Sequence, residues 1–354
     1  MIHWRVGEVI STGREWNGAL ELEVSVHGAP VQAIAYPTLV GIPEPGDAVL
    51  LNTTALDLQL GTGGYAMVVA IPSRLPEGTP GAGHIMKARY LPMQAKVLGV
   101  DEQESEHHEL LRDAESLDAM PVVIADLHSA LPAILAGIHC DRPDTRVAYV
   151  MTDGGSLLAW FSRTLSALGE HLVGTVTVGQ ALGGDLEAVT LHTGLLAAKH
   201  VLHADITIVT QGPGNLGTGT TWGFSGVAAG DAANAVATLE GRPVGALRIS
   251  DADARTRHRG VSHHSLTAFG QVALVGMDIA VPEGLPLDLR RRVEDDLAAQ
   301  PVRNRILYVS DRGLHDALAA SPVPLSTMGR GLAEDPWYFL ASAAAGRHAT
   351  SLLG

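Results

Sequence analysis

The sequence predicts an α/β protein: a mostly parallel sheet flanked by helices, with an N-terminal small β-barrel-like domain. Three observations carry that expectation. From Pro121 onward, short apolar runs alternate with helical segments, as in repeated βα units whose strands are covered on both faces. Before residue 85 the chain instead carries about five short strand-like segments separated by turn residues. Between them, Pro72, Pro76, Gly78, Pro80, Gly81 and Gly83 interrupt helix and strand alike. The predicted domains are therefore a β-rich barrel over residues 1–85 and an α/β domain over residues 86–354 that carries the site.

In the first domain, Leu20, Leu22, Val24 and Val26 alternate with Glu21, Glu23 and Ser25, the period of a strand with one wet face. Trp16-Asn17-Gly18 and His27-Gly28-Ala29-Pro30 supply turns on either side. Further strands are expected at residues 5–11, 31–36, 48–52 and 65–71. An acidic helix is expected over residues 104–120. The α/β series then starts with strands at 122–125, 146–152, 174–179, 205–210 and 243–249. Helices are expected over 130–139, from Ser156 to Leu168, and up to His200. A charged amphipathic helix over 285–300, a strand over 305–310 and a helix over 335–352 complete the chain. In the last, Asp335 is the expected N-cap and Pro336 the first helical residue.

Composition narrows the function classes. The 354 residues suggest about two domains, and 46% hydrophobic residues suffice for a large core. With 24 basic against 38 acidic residues, the net charge of −14 repels phosphate backbones, which argues against nucleic acid as a partner. No apolar run reaches the roughly 18 residues of a membrane span. Cys140 is the only cysteine, which removes an internal disulfide and any Cys-based metal cluster and fits a cytoplasmic protein. The first residues lack a signal-peptide layout.

Two loops concentrate the chemistry. After the strand at 205–210 comes Gly212-Pro213-Gly214-Asn215-Leu216-Gly217-Thr218-Gly219-Thr220. Gly212, Gly214, Gly217 and Gly219 let the backbone present N–H groups to an anion, with Thr218 and Thr220 beside them. A helix expected to begin near Phe224 would add its positive end. No Lys follows, so this is not a Walker A loop, and it is not read as a dinucleotide fingerprint. The second loop runs from Asp251 to Ser265 and holds Arg255, Arg257, Arg259, His258, His263 and His264. Arginine forks suit carboxylate or phosphate, and histidines suit proton transfer or metal binding.

Other loop starts supply acids: Asp126 with His128, then Asp153, then Asp185 with Glu187. Each is a candidate metal ligand and equally a candidate helix cap. Ser262 lacks the Gly-x-Ser-x-Gly elbow of a nucleophile, because His264 stands at the final position. Cys140 reads as a small buried hydrophobe.

The segments Met151-Thr152-Asp153-Gly154-Gly155, Gly183-Gly184-Asp185-Leu186-Glu187-Ala188-Val189, Gly212-Pro213-Gly214 through Gly219-Thr220, and Arg257-His258-Arg259-Gly260-Val261-Ser262-His263-His264 together resemble the bacterial domain of unknown function 3866 family. That resemblance implies no activity, cofactor or site residue.

The leading expectation is an enzyme or binder of a small anionic metabolite, phosphorylated or carboxylated. In it, the 212–220 loop and Arg255, Arg257 and Arg259 hold the anion. His258, His263 or His264 act in acid–base chemistry, with Asp153 or Asp185 orienting a histidine or holding a divalent metal. One alternative is a non-catalytic regulatory or assembly protein whose arginines pair across a homo-oligomer interface. The other is a metal-dependent hydrolase built on Asp126, His128, Asp153 and the histidine loop.

Overall fold

The computed structural model describes residues 1–61, 63–78, 81–300 and 302–354. Pro80, one of the residues on which the linker expectation rests, lies outside them. The chain divides into two compact units. One is Met1–Val97 together with Trp160–Ser166, and the other is Leu98–Ala159 with Ala167–Gly354.

In the first unit, the strands are β1 (Trp4–Trp16), β2 (Ala19–Val26), β3 (Ala29–Ala35), β4 (Ala48–Asn52) and β5 (Ala66–Ala70). The short helix α1 (Pro37–Val40) precedes β4, and α2 (Thr54–Asp57) precedes β5. The strands close into a barrel in the order β1-β2-β3-β5-β4. Only the β3–β5 pair within it is parallel. This is a five-stranded Greek-key barrel of the OB kind. The alternation read from the sequence fills it: Leu20, Leu22, Val24 and Val26 are all buried. A hairpin of β6 (Ile85–Lys87) and β7 (Ala95–Val97) follows.

The unit is completed by a segment far along the chain. Trp16 Nε1 donates to the Trp160 carbonyl at 2.6 Å. The Arg163 guanidinium lies 4.8 Å over the Trp16 ring and pairs with Glu21 and the Tyr65 hydroxyl. Gly18 turns between β1 and β2 with φ +76°, and the Trp160 ring leaves no room for a Cβ there. The expected helix from Ser156 to Leu168 is thus replaced by a 3-10 turn (Ala159–Phe161) and α5 (Arg163–Ala167).

In the second unit, the acidic stretch forms only α3 (His108–Leu111), and positive φ at Asp118 and Ala119 breaks the end of the expected helix. The strands then run β8 (Pro121–Ile124), β9 (Val147–Thr152), β10 (Gly174–Thr177), β11 (Leu186–Glu187), β12 (Ile206–Gln211) and β13 (Arg242–Ala246). A small hairpin of β14 (Ile249–Ser250) and β15 (Gly260–Val261) precedes β16 (Asp278–Pro282) and β17 (Arg305–Val309). The eight-stranded sheet has the order β11-β10-β9-β12-β8-β13-β16-β17, and every pairing in it is parallel. The expected strand at 243–249 ends early. Leu247 and Arg248 leave the sheet, and Arg248 N donates instead to Ser265 Oγ at 3.0 Å.

The helices include α4 (Leu131–Asp141), α6 (Leu191–His200), α7 (Ala228–Thr238), α8 (His263–Thr267), α9 (Leu287–Ala298) and α10 (Leu314–Ala319). A further hairpin of β18 (Ser326–Thr327) and β19 (Arg330–Gly331) leads to α11 (Pro336–Ser351). Helices α4 and α11 cross at glycine on glycine. A Cβ at Gly137 would collide with the Ala343 carbonyl, and one at Gly346 with the Ile134 carbonyl. Asp335 precedes α11 but makes no side-chain cap. Its carboxylate accepts from Ser250 Oγ at 3.0 Å and Arg330 Nε at 2.9 Å.

The sheet order contains one reversal. From β8 the chain crosses through α4 to β9, on one side; from β12 it crosses through α7 to β13, on the other. Right-handed crossovers in opposite directions place α4 and α7 on opposite faces. The carboxyl ends of β8 and β12 therefore flank a crevice, the usual ligand position in open α/β sheets.

Candidate functional site

The crevice is bounded by Asp126, after β8, and Gln211, at the end of β12. Gln211 Nε2 bridges them, donating to the Asp126 carbonyl at 2.7 Å and to Asn215 Oδ1 at 3.0 Å. The remaining space between Asp126, Gln211 and Ser225 is about 10 Å³, room for one water at most. On the outer side the two loops singled out in the sequence meet, with the Gly219 Cβ position 4.0 Å from Arg257 Nη2.

The loop from Asp251 is anchored at its base. Asp253 is buried, and its carboxylate receives Arg248 Nη2 at 3.1 Å, Arg255 Nη2 at 2.9 Å and Arg330 Nη2 at 3.3 Å. Burial opposes ionisation of Asp253, but hydrogen bonds from Arg255 and the charges of Arg255 and Arg248 outweigh it, holding the carboxyl below its usual range. Arg259 Nε donates to the Asp253 carbonyl at 2.8 Å. A 3-10 turn over Thr256–His258 turns His258 inward, and Gly260 reverses the chain with φ +78°. Ser262 then caps α8, accepting from His264 N at 3.2 Å. The cap places His263 and His264 in the first helical turn.

The result is a triangle of imidazoles. Ring centroids lie 4.9 Å apart for His258–His263, 4.9 Å for His258–His264 and 4.4 Å for His263–His264. One ring nitrogen from each lies within 4.8 Å of the others. Phe224 stacks flat on His264 at 3.8 Å. Behind it, Asp126 Oδ2 stands 3.5 Å from His264 Nδ1. Those two atoms, together with His263 Nε2, are buried and have no hydrogen-bond partner among the described residues. Burial, then the charges of Arg248 and Arg255, push the His258 pKa down to about 3. Burial, then His264 and Arg257, push His263 down to about 4. At neutral pH these two rings are uncharged, offering lone pairs rather than acidic protons.

The glycine loop reaches the same place. Its nearest approach to the arginines is at Gly219, which has φ +79° and whose Cβ position lies 4.0 Å from Arg257 Nη2. Thr218 N donates to the Gly223 carbonyl at 2.7 Å, and the Thr218 and Thr220 hydroxyls are 3.1 Å apart. Gly217 pairs antiparallel with Phe224. Gly214 lies exposed at φ +87°. Gly212 is buried, and a Cβ there would strike the Ser156 carbonyl, so its need for glycine is packing. Gly212, Gly214 and Gly217 do keep Gly-x-Gly-x-x-Gly spacing. The dinucleotide geometry is nevertheless missing, because the next helix starts with a 3-10 turn at Ser225–Val227, after the loop has folded back.

The other expected residues go elsewhere. Arg255 and Arg259 are engaged with Asp253, which leaves Arg257, exposed and without a hydrogen-bonded or ionic partner among the described residues. Asp153 Oδ2 accepts from Gln180 N at 2.8 Å. Asp185 Oδ2 accepts from Thr175 N and Oγ1, both at 2.8 Å. Both acids are exposed loop fasteners, and no hydrogen bond or ion pair joins either to a histidine of the cluster among the described residues. His128 is buried, with Nδ1 on the Tyr149 hydroxyl at 2.9 Å. Ser262 Oγ is held by His258 Nδ1 at 2.7 Å, and Cys140 Sγ by Arg347 Nη2 at 3.1 Å.

Arg248, Arg330, Gln211 and Phe224 contribute without having been singled out. Arg248 left a signal, a charge between Leu247 and Ile249 inside an apolar run. Arg330 left none, since it arrives from 77 positions beyond Asp253.

A family model for a protein of unknown function (DUF3866) matches residues 32–346. No curated protein and no solved structure matches the chain.

Proposed function

We propose that this chain, which belongs to the DUF3866 family of proteins of unknown function, binds and acts on a small anionic metabolite at the outer mouth of the β8–β12 crevice. Arg257 neutralises the phosphate or carboxylate, the exposed glycine loop around Gly219 lies along it, and the uncharged imidazoles line the reacting side. The observation that carries this reading is the unengaged Arg257 guanidinium beside Gly219, next to a histidine cluster at a topological switch point. Uncharged imidazoles with pKa values near 3 and 4 are poor proton donors at neutral pH. With so little basicity they are weak general bases as well, which favours a role as neutral ligands over one in proton transfer.

The reading is tested by calorimetric titration with inorganic phosphate, a sugar phosphate and a dicarboxylate. Arg257→Ala should weaken the best of these roughly tenfold or more, as expected for loss of a charged hydrogen bond worth about 1.5–3 kcal/mol. If no anion binds the wild type, or Arg257→Ala binds as well, the reading fails. A homo-oligomer interface built on the alternating arginines has less support, because Arg255 and Arg259 already have partners within the chain. The lone Cys140 fits a reducing, cytoplasmic setting.

A further inference from the structure

We infer that His258, His263 and His264 form a binding site for one divalent transition-metal ion, with Asp126 orienting His264 from behind. The inference goes beyond the anion-binding reading: it assigns a ligand to the histidine cluster itself and does not depend on Arg257.

Three features point to a metal rather than to a packed polar cluster. First, one ring nitrogen of each histidine lies within 4.8 Å of the other two. A tetrahedral zinc, with nitrogens about 2.0–2.1 Å away, sets its ligand atoms roughly 3.4 Å apart, so the rings need move only by about an ångström. Second, the outer ring nitrogens of His258 and His264 already face polar groups. His258 is tied through Nδ1 to Ser262 Oγ at 2.7 Å, which leaves Nε2 as the nitrogen available to a metal. His264 Nδ1 faces Asp126 Oδ2 at 3.5 Å, the carboxylate–histidine arrangement that fixes a tautomer for ligation at the other nitrogen. Phe224, stacked on His264 at 3.8 Å, holds that ring's plane. Third, among the described residues His263 Nε2, His264 Nδ1 and Asp126 Oδ2 are buried without a hydrogen bond, the 3.5 Å His264–Asp126 approach not making one, while Asp126 and His264 are themselves 3% and 6% exposed. Buried polar atoms normally have partners. A cation would take up the His263 lone pair directly, and draw the His264–Asp126 pair together.

The donor set selects the ion. Three imidazole nitrogens suit zinc, copper, nickel or iron better than calcium or magnesium, which take oxygen ligands. Three protein ligands leave a fourth position open, as in sites where a metal polarises a substrate.

The test uses the full-length protein, stripped with a chelator and titrated with zinc chloride, followed by calorimetry. One zinc per chain is expected. His258→Ala and His263→Ala should each lose at least a hundredfold in affinity, and Asp126→Asn should lose about 10–100-fold. Cobalt(II) loading of the wild type provides a readout that does not depend on any variant folding, since a tetrahedral nitrogen-rich site gives intense visible bands. Wild type with no stoichiometric zinc, or with only a weak octahedral cobalt spectrum, would overturn the site. So would a folded His258→Ala variant that binds zinc unchanged. Zinc binding without any anion binding would sink the function proposed above and leave the metal site standing. Anion binding without zinc would do the reverse.

Discussion

Replacing Asp253 with Asn should be among the most damaging single changes away from the hydrophobic core. Three guanidinium groups converge on a side chain that is 2% exposed. They would respond unequally to the loss. Arg255 is 40% exposed and can turn to water. Arg330 keeps Asp335 at 2.9 Å. Arg248, at 3% exposure, has neither outlet and is left as a buried charge. Breaking one half of such a pair costs about 3–5 kcal/mol, which would lower the melting temperature by roughly 6–15 °C at this size. The assay is thermal and urea unfolding of wild type, Asp253→Asn, Arg248→Met and the double variant. The double variant should recover at least half of the loss, because it removes the stranded charge as well as its partner. A single variant within about 1 kcal/mol of wild type, or a double variant no better than the single, would refute the argument. The pH dependence has a definite sign. The carboxyl is held below its ordinary range in the folded protein, so its contribution is complete above the unfolded pKa of about 4. It is lost as pH falls from there through the folded value. Wild type should therefore lose stability in acid more steeply than Asp253→Asn.

Other expectations follow from the same geometry. Gly137→Val and Gly346→Val should each destabilise by about 1–3 kcal/mol or more, since either side chain collides with a carbonyl of the facing helix; denaturant unfolding measures it, and near-neutral variants would contradict the close crossing. His128, buried against Tyr149, is pushed down to about 4 by burial. Its neutral form is favoured by folding, so about 3 kcal/mol of stability is present above pH 6.5 and is lost as pH falls toward 4. His128→Gln should flatten the stability profile in that window, and an unchanged slope would speak against the assignment. Arg257→Ala should change stability by less than about 0.5 kcal/mol, since its exposed side chain has no hydrogen-bonded or ionic partner among the described residues. Arg255→Ala should cost more, because it removes two hydrogen bonds to Asp253.

What the sequence disclosed depended on how local the signal was. The barrel strands were legible because inward positions such as Leu22 and Val24 recur every second residue. The sheet strands were legible as apolar runs, but their order was not, because β12 inserts between β8 and β9 through contacts more than fifty residues apart. The histidine and arginine loop announced itself by density within fifteen positions. Its division of labour did not, since only the fold shows Arg255 and Arg259 turned to Asp253 and Arg257 left over. Asp153 and Asp185 misled for a physical reason. A carboxylate beside a strand end serves equally well by accepting a backbone N–H, as both do here. Asp335 shows the opposite error: its position is that of a cap, yet its oxygens go to Ser250 and Arg330.

The borrowed segment Trp160–Ser166 also sets a timetable for synthesis. Strands β1 to β5 leave the ribosome well before it, yet the Trp16 indole and the Gly18 turn meet Trp160, and Glu21 gains its Arg163 partner, only when that segment arrives. By then β8 and β9 have already emerged, while β12, which must pair with both, has not. Nascent chains usually fold domain by domain from the N-terminus. Here the first unit waits on its own distant segment, so a gene cut at residue 97 leaves the Trp16 indole without the Trp160 carbonyl to which it donates. Circular permutants that join the barrel to residues 160–166 directly would remove the delay.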